Sequence, residues 1–170
     1  MKVAVLGIGN MGTTVVKQLK SCSEVTSIVG FEQRSAERKK IQEGLGISVV
    51  EKLEHILMDP EVRLVFVTTS NDAHKSLVIQ CLQAGKAVMC EKPMATTLDD
   101  AREMVEFSEK TKAFLQIGFE LRYSKLYTKI KEWIQAGFLG DVINTQCTYI
   151  SCEFIGKESW RIKKAAREKS

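Results

Sequence analysis

Three glycines at positions 7, 9 and 12, with Asn10 and Met11 between the last two, have the types and spacing to hold a phosphate. Gly7 allows a tight turn, Gly9 lets the backbone come close to a pyrophosphate, and Gly12 lets a new helix pack against the preceding strand. Free backbone N–H groups at a helix start attract such an anion. Glu32 follows about twenty residues later, at the interval where a carboxylate accepts hydrogen bonds from an adenosine ribose. Its neighbour Arg34 is suited to the extra phosphate of NADP, or is a solvated charge, so NAD and NADP both stay open with a lean to NAD. The third set is Glu91-Lys92-Pro93. An ammonium there hydrogen-bonds a substrate hydroxyl or carbonyl oxygen and shares in its proton transfer, with partial burial beside a charged cofactor lowering its pKa. Taken alone, the same tripeptide is a common surface turn.

These groups need elements to position them. Val3, Val5 and Leu6 form the continuous apolar run of a strand buried on both faces. Met11, Val15, Val16 and Leu19 recur at helical spacing behind the glycines. A second strand over 25–31 ends at Glu32. Ser35 then caps a helix that carries Ala36, Lys40 and Ile41 and closes at Gly44-Leu45-Gly46, before a short strand over 47–50 and a helix over 53–58. Residues 63–68 form another apolar strand, which runs out into Thr69-Ser70-Asn71-Asp72-Ala73-His74 where strand ends line a ligand crevice. Asn71 or Asp72 would cap the next helix, whose face is Leu77, Val78, Cys81 and Leu82, with Gly85 as its stop. The strand over 87–90 delivers Lys92 to the same edge, and Pro93 fixes the backbone there, by one reading through a cis bond.

Thr96 or Thr97 starts a helix with Leu98, Ala101, Met104, Val105 and Ser108 on one face, and 113–118 completes the sheet. Leu126, Ile130, Trp133 and Ile134 mark a further amphipathic helix, read as core. The alternation predicts an α/β, doubly wound parallel sheet, the Rossmann fold, over 1–120. Residues 121–170 would hold a connecting helix and, over 141–150, the first strand of a second, α+β domain.

Composition excludes several other classes. The net charge is +4, and the basic excess sits largely in 157–169, which argues against a nucleic-acid-binding body and fits a solvated run. The five cysteines, Cys22, Cys81, Cys90, Cys147 and Cys152, show no CxxC spacing, so neither a metal site nor a redox pair is expected. Reduced thiols in a cytoplasmic protein are the simple expectation. Met1 leads directly into the first strand, leaving no signal peptide, and no apolar run is long enough to span a bilayer. His55 has no ligand-type neighbours in sequence and is expected to be structural or on the surface.

The motifs together resemble the glucose-fructose oxidoreductase and inositol dehydrogenase family, written Gfo/Idh/MocA. The likeness runs through Gly7-Ile8-Gly9-Asn10-Met11-Gly12, Thr69-Ser70-Asn71-Asp72-Ala73-His74, Ala84-Gly85-Lys86-Ala87-Val88-Met89-Cys90-Glu91-Lys92-Pro93, Gly118-Phe119-Glu120-Leu121-Arg122-Tyr123 and Gly137-Phe138-Leu139-Gly140-Asp141-Val142. The resemblance implies hydride transfer between a sugar or cyclitol and the nicotinamide of NAD or NADP, with Lys92 on the reacting oxygen. It implies that Glu32 holds the ribose, and that Thr69, Asn71, His74 and Glu91 lie along the cofactor. Arg122 and Tyr123 would border the substrate space, although charge pairing or packing accounts for them equally well.

Ser159-Trp160-Arg161 still resembles the family's Trp-Arg stretch, but the residues after it depart from the expected glycine-rich continuation. The Asp and His that the family's second domain supplies have no counterpart. The expectation is therefore a chain truncated after its Rossmann domain, with a small-molecule substrate, no nucleic acid and no membrane. Its orphan strand at 141–150 would pair with another chain, giving a homo-oligomer, or be disordered. The alternative is a catalytically inactive module that binds a dinucleotide or a protein partner.

Overall fold

The computed structural model describes residues 1–148 and 150. The Ser159-Trp160-Arg161 stretch, Cys152 and the basic run lie outside the described residues. The chain divides into two compact units, Met1–Ser124 and Lys125–Ser170.

The first unit is built on strands β1 (Lys2–Leu6), β2 (Ser27–Phe31), β3 (Ser48–Val50), β4 (Val62–Val67), β5 (Ala87–Cys90) and β6 (Leu115–Ile117). They form one sheet in the order β3-β2-β1-β4-β5-β6, and every pairing is parallel. Helices α1 (Asn10–Leu19), α2 (Ser35–Leu45), α3 (Glu54–Leu57), α4 (His74–Gln83) and α5 (Leu98–Thr111) make the crossovers. This is the doubly wound Rossmann architecture. Val3, Ala4, Val5 and Leu6 have no exposed surface, as a central strand covered on both faces requires. Val5 packs with Val15, Val16, Ile41 and Leu45 of α1 and α2 on one side. On the other, Ala4 and Leu6 join Val65, Val67, Val78 and Met104 under α4 and α5.

Several local expectations change in the structure. Arg34, not Ser35, is the N-cap residue of α2, and no side chain caps that helix. Neither Asn71 nor Asp72 caps α4, because both lie in a 3₁₀ turn over Asn71–Ala73 and α4 starts at His74. Thr97 does cap α5, its hydroxyl accepting a hydrogen bond from the Asp100 N–H at 3.1 Å. Of that helix's expected face only Met104 is buried; Leu98 and Val105 are exposed, since α5 covers the edge of the sheet with a narrow stripe.

In the second unit α6 (Lys125–Gln135) forms as expected, but none of its residues is buried. One helix and the turn after it cannot enclose an apolar stripe, and the Trp133 ring tilts against Phe138 with centroids 6.0 Å apart. The strand expected at 141–150 is absent from 141–148, where no ladder partner is found among the described residues. Extended propensity becomes a strand only when a neighbour takes up its N–H and C=O groups. No helix among the described residues is long and apolar enough to cross a membrane.

Two measurements check this packing. A Cβ at Gly30 would fall 2.3 Å from Ile8 Cδ1, so Gly30→Ala should cost about 1–3 kcal/mol in urea unfolding. Adding Ile8→Val, which removes that atom, should recover more than half of the loss. Cys81 and Cys90 are buried, and burial pushes both thiols up to about 12. Thiol titration at neutral pH should therefore modify exposed Cys22 and Cys147 in the native chain and reach Cys81 and Cys90 only in denaturant.

Candidate functional site

The register of the sheet determines where the site lies. Val50, Phe31, Leu6, Val67, Cys90 and Ile117 pair across successive strands as one row at the carboxyl edge. The residues that follow them, Gly7, Glu32, Thr68, Glu91 and Gly118, step off that row together. The strand order reverses between β1 and β4, the position at which open α/β sheets form their ligand crevice.

Gly7 sits at φ +85°, and an added Cβ would lie 2.7 Å from the Thr69 methyl. At Gly12 an added Cβ would lie 2.3 Å from the Gly7 carbonyl oxygen. These two positions exclude any side chain because the turn folds back on itself and against β4. Gly9 is different: a Cβ there would meet nothing within 4 Å. The space in front of Gly9 is open, it is the N-cap residue of α1, and no side chain caps that helix. First-turn N–H groups beside an open, side-chain-free surface are a fitting cradle for a pyrophosphate. Asn10 and Met11 are exposed at its rim.

Glu32 follows β2 directly and is held before any ligand arrives. Its Oε1 accepts hydrogen bonds from the backbone N–H and the Nε–H of Arg34, each at 3.0 Å, and its Oε2 accepts from Arg34 Nη2 at 3.1 Å. The Arg34 guanidinium holds the Glu32 carboxyl below the usual carboxylate range against the opposing effect of burial. Its contribution to stability is thus present above that range and is lost as pH falls through the lowered pKa. Arg38 donates to the Glu32 carbonyl at 3.1 Å, the Gln33 carbonyl at 2.6 Å and the Glu51 carboxylate at 3.0 Å, so this turn is tied to its neighbours.

Two further loops meet through His74. The imidazole has no exposed surface, Nδ1 lies 2.8 Å from the Pro93 carbonyl, and Nε2 lies 3.3 Å from the Thr69 carbonyl. The ring thus lies between the end of β4 and the turn that carries Lys92. A neutral imidazole has one N–H and donates to one of these carbonyls, of which that of Pro93 is the nearer. The Lys92–Pro93 bond is cis. Lys92 is exposed, and its N–H donates to Glu91 Oε2 at 3.1 Å, which fixes Glu91 beneath it.

A cleft of about 660 Å³ runs along the α1 side of β4, β5 and β6, lined by Met11, Phe66, Met89, Glu91, Lys92 and Tyr123 among others. It brings Lys92 and Tyr123 to one wall, with the Tyr123 hydroxyl accepting from Gln116 Nε2 at 2.7 Å. Arg122 does not line it; its guanidinium lies 5.9 Å from the Phe119 ring centroid. Thr69 and Asn71, both half-buried, and Glu32 lie at the carboxyl edge outside this cleft. No cluster of metal-ligating side chains occurs among the described residues.

Sequence reasoning missed Thr68, Gly30 and Arg38. The Thr68 hydroxyl shares its proton between the Leu6 carbonyl at 3.0 Å and the Gly7 carbonyl at 2.8 Å, closing the turn from the far side. Only its position one residue past an apolar strand could have pointed to it.

Fold and glycine turn are those of a Rossmann domain. Residues 1–119 match the model of an oxidoreductase family with an NAD-binding Rossmann fold, GFO_IDH_MocA, and the chain belongs to that family. It is 33% identical over 141 residues to a myo-inositol 2-dehydrogenase of Thermotoga maritima, covering 82% of this chain and 42% of the relative. An inositol 2-dehydrogenase of Saccharopolyspora erythraea is 30% identical, over 88% of this chain and 45% of its own length. The crystal structure of the WlbA dehydrogenase from Chromobacterium violaceum, in complex with NADH and UDP-GlcNAcA, superposes with a TM-score of 0.75 at 26% identity, over 82% of this chain and 41% of that one. A scyllo-inositol dehydrogenase from Lactobacillus casei shares the fold, with a TM-score of 0.74 at 21% identity over 83% of this chain and 42% of that one. The chain spans less than half the length of these relatives.

The clamp is open to test. His74→Leu keeps the volume and removes the ring's one N–H donor, so stability should fall by about 1–3 kcal/mol for the carbonyl left without it. Hydrogen exchange should quicken around 69–74 and 91–95 while amides of β1 and β2 stay protected; unchanged exchange at both loops would show that the clamp carries no load.

Proposed function

We propose that the chain is the cofactor-binding part of a nicotinamide-dependent oxidoreductase acting between a hydroxyl and a carbonyl carbon of a sugar or cyclitol, with NAD(H) favoured. The observation that carries this reading is the row of strand ends that sets the open Gly9 cradle, Glu32 and Lys92 along one edge of one sheet. The inositol dehydrogenases among its relatives supply the substrate class. The described cysteines are all free, in keeping with a cytoplasmic protein.

Nicotinamide, when bound, accepts or donates the hydride. The residues of this chain do the rest. First-turn N–H groups of α1 hold the pyrophosphate over Gly9, with Asn10 and Met11 at its border. Glu32 accepts from the adenosine ribose, and a carboxylate there disfavours a 2′-phosphate. Thr69 and Asn71 lie along the nicotinamide half. Glu91 anchors the backbone of Lys92, whose ammonium donates a hydrogen bond to the substrate oxygen and exchanges its proton as that oxygen changes between hydroxyl and carbonyl. Tyr123 borders the substrate space on the cleft wall, and Arg122 flanks it from outside the cleft.

Gly9→Val discriminates binding from folding, because the new side chain enters open space. Loss of the glycine N-cap should cost no more than about 1 kcal/mol in urea unfolding, while calorimetric titration with NADH should show affinity reduced at least about tenfold. Lys92→Met should keep NADH affinity within about twofold and lower turnover on a polyol panel by about 10²–10⁴. Saturable NADH binding with no turnover in the unaltered chain would remove the catalytic half of the reading and leave the cofactor half.

A further inference from the structure

The Gly7 carbonyl lies at the tightest point of the glycine turn. A Cβ on Gly12 would be 2.3 Å from its oxygen, and Thr68 Oγ1 is 2.8 Å from it, so α1 and the residue after β4 close on it together. The Leu6 carbonyl just before it already accepts from the Thr68 backbone N–H at 2.8 Å. A threonine hydroxyl has one proton to give. Leu6 and Gly7 carbonyls are both within its reach, but the Gly7 oxygen is the nearer, and among the described residues it receives no backbone N–H. The hydroxyl proton therefore goes to Gly7.

This contact matters because of what Gly7 lacks. At φ +85° and without a Cβ, it leaves the peptide that follows it freer to rotate than any other residue would. That peptide is planar and trans, since the one cis bond among the described residues is Lys92–Pro93, so its C=O and the N–H of Ile8 point in opposite directions. Holding the carbonyl on Thr68 turns the Ile8 N–H away from Thr68 and sets the course of the chain through Gly9 into α1. The first-turn N–H groups of α1 then open beside Gly9, where an added Cβ would meet nothing within 4 Å.

We infer that Thr68 is a positioning residue of the phosphate cradle: its hydroxyl holds the Gly7–Ile8 peptide in the orientation that a dinucleotide pyrophosphate requires, acting through the turn and not on the ligand. The inference rests on the dinucleotide reading of the site. Because the hydroxyl acts on the part of the turn that faces the pyrophosphate, it sets affinity for every pyrophosphate ligand alike and not the choice between NADH and NADPH.

The test compares Thr68→Val, which keeps the branched shape and removes the donor, with Thr68→Ser, which keeps the donor and removes the methyl. Each chain is titrated calorimetrically with NADH, NADPH and ADP-ribose, and with adenosine by NMR, with urea unfolding as the check on folding. Thr68→Val should bind the three pyrophosphate ligands about 5- to 20-fold more weakly, by a common factor, and adenosine within about twofold of the unaltered chain. Thr68→Ser should stay within about threefold for all four. In a Gly9→Val chain, whose cradle is already filled, adding Thr68→Val should weaken NADH by less than about a further twofold, because both changes act on one unit.

NADH affinity unchanged in Thr68→Val, an equal loss in Thr68→Ser, or an equal loss for adenosine would overturn the assignment and leave the dinucleotide site standing. Should Thr68→Val fail to fold, Thr68→Ala set against Thr68→Ser makes the same comparison, with the loss expected in the alanine chain alone. No saturable binding of NADH or NADPH by the unaltered chain would overturn the dinucleotide reading and this inference with it.

Discussion

A methyl group added at Gly12 would lie 2.3 Å from the Gly7 carbonyl oxygen and 2.8 Å from the Thr68 hydroxyl. Three elements converge at that point: the end of β1, the start of α1 and the end of β4. Their closeness is what leaves the first N–H groups of α1 facing outward beside Gly9. It also explains why Thr68 follows β4: its backbone N–H already reaches the Leu6 carbonyl, and its hydroxyl adds a donor for the Gly7 carbonyl that an apolar side chain would lack. The same tightness reaches β2, where Gly30 makes room for Ile8, the residue at the centre of the turn. A phosphate cradle here is thus a consequence of backbone packing, with no cationic side chain needed to form it.

Polar groups around the edge are committed to the scaffold before any ligand is present. His74 joins two strand-end loops, Arg38 ties the turn after β2 to Glu51 at the end of β3, and Lys75 bridges α4 to Asp100 and Glu103 of α5. Lys86, almost fully buried, donates to the Asp59 carbonyl and so pins the loop that leads into β4. Each interaction crosses between elements: those of His74 and Arg38 lie where strands end, Lys75 joins two helices, and Lys86 acts where β4 and β5 begin, so the first two bear on the level of the strand ends. That matters because a cofactor lying across several strand ends requires their relative heights to be set, and preorganised groups bind without first being ordered.

The strands and the glycine turn were legible from sequence because their signals are local: a continuous apolar run, a helical period, and glycines at positions where a Cβ has no room. Glu32 was legible from its interval after the glycines. The partner groups were not. His74 stands in a stretch that the family resemblance places along the cofactor, and only the three-dimensional positions of the Thr69 and Pro93 carbonyls turn it into a buried clamp. Ser35 has the chemistry of a cap, yet the pairing of Arg34 with Glu32 fixes the backbone one residue earlier and Arg34 takes the capping position. In the second unit the apolar stripe of Leu126, Ile130, Trp133 and Ile134 was correctly read as helical, but periodicity says which face is apolar and not whether anything covers it.

The residues 141–148 illustrate the same limit from the other side. Val142, Ile143, Thr145 and Thr148 have strong strand propensity, and no strand forms there. Propensity for a sheet is largely a statement about neighbours, since the ladder hydrogen bonds of a strand are all made to another segment. A Rossmann unit completes its own ladder with six parallel strands, and its β6 edge can take a further strand only if the register and the crossover allow it. The glycine turn, Glu32 and Lys92 all lie within Met1–Ser124, whereas 141–148 has no ladder partner among the described residues. The division follows from hydrogen-bond accounting: the six strands pair with one another and leave only β3 and β6 as edges, whereas strand propensity alone supplies no ladder.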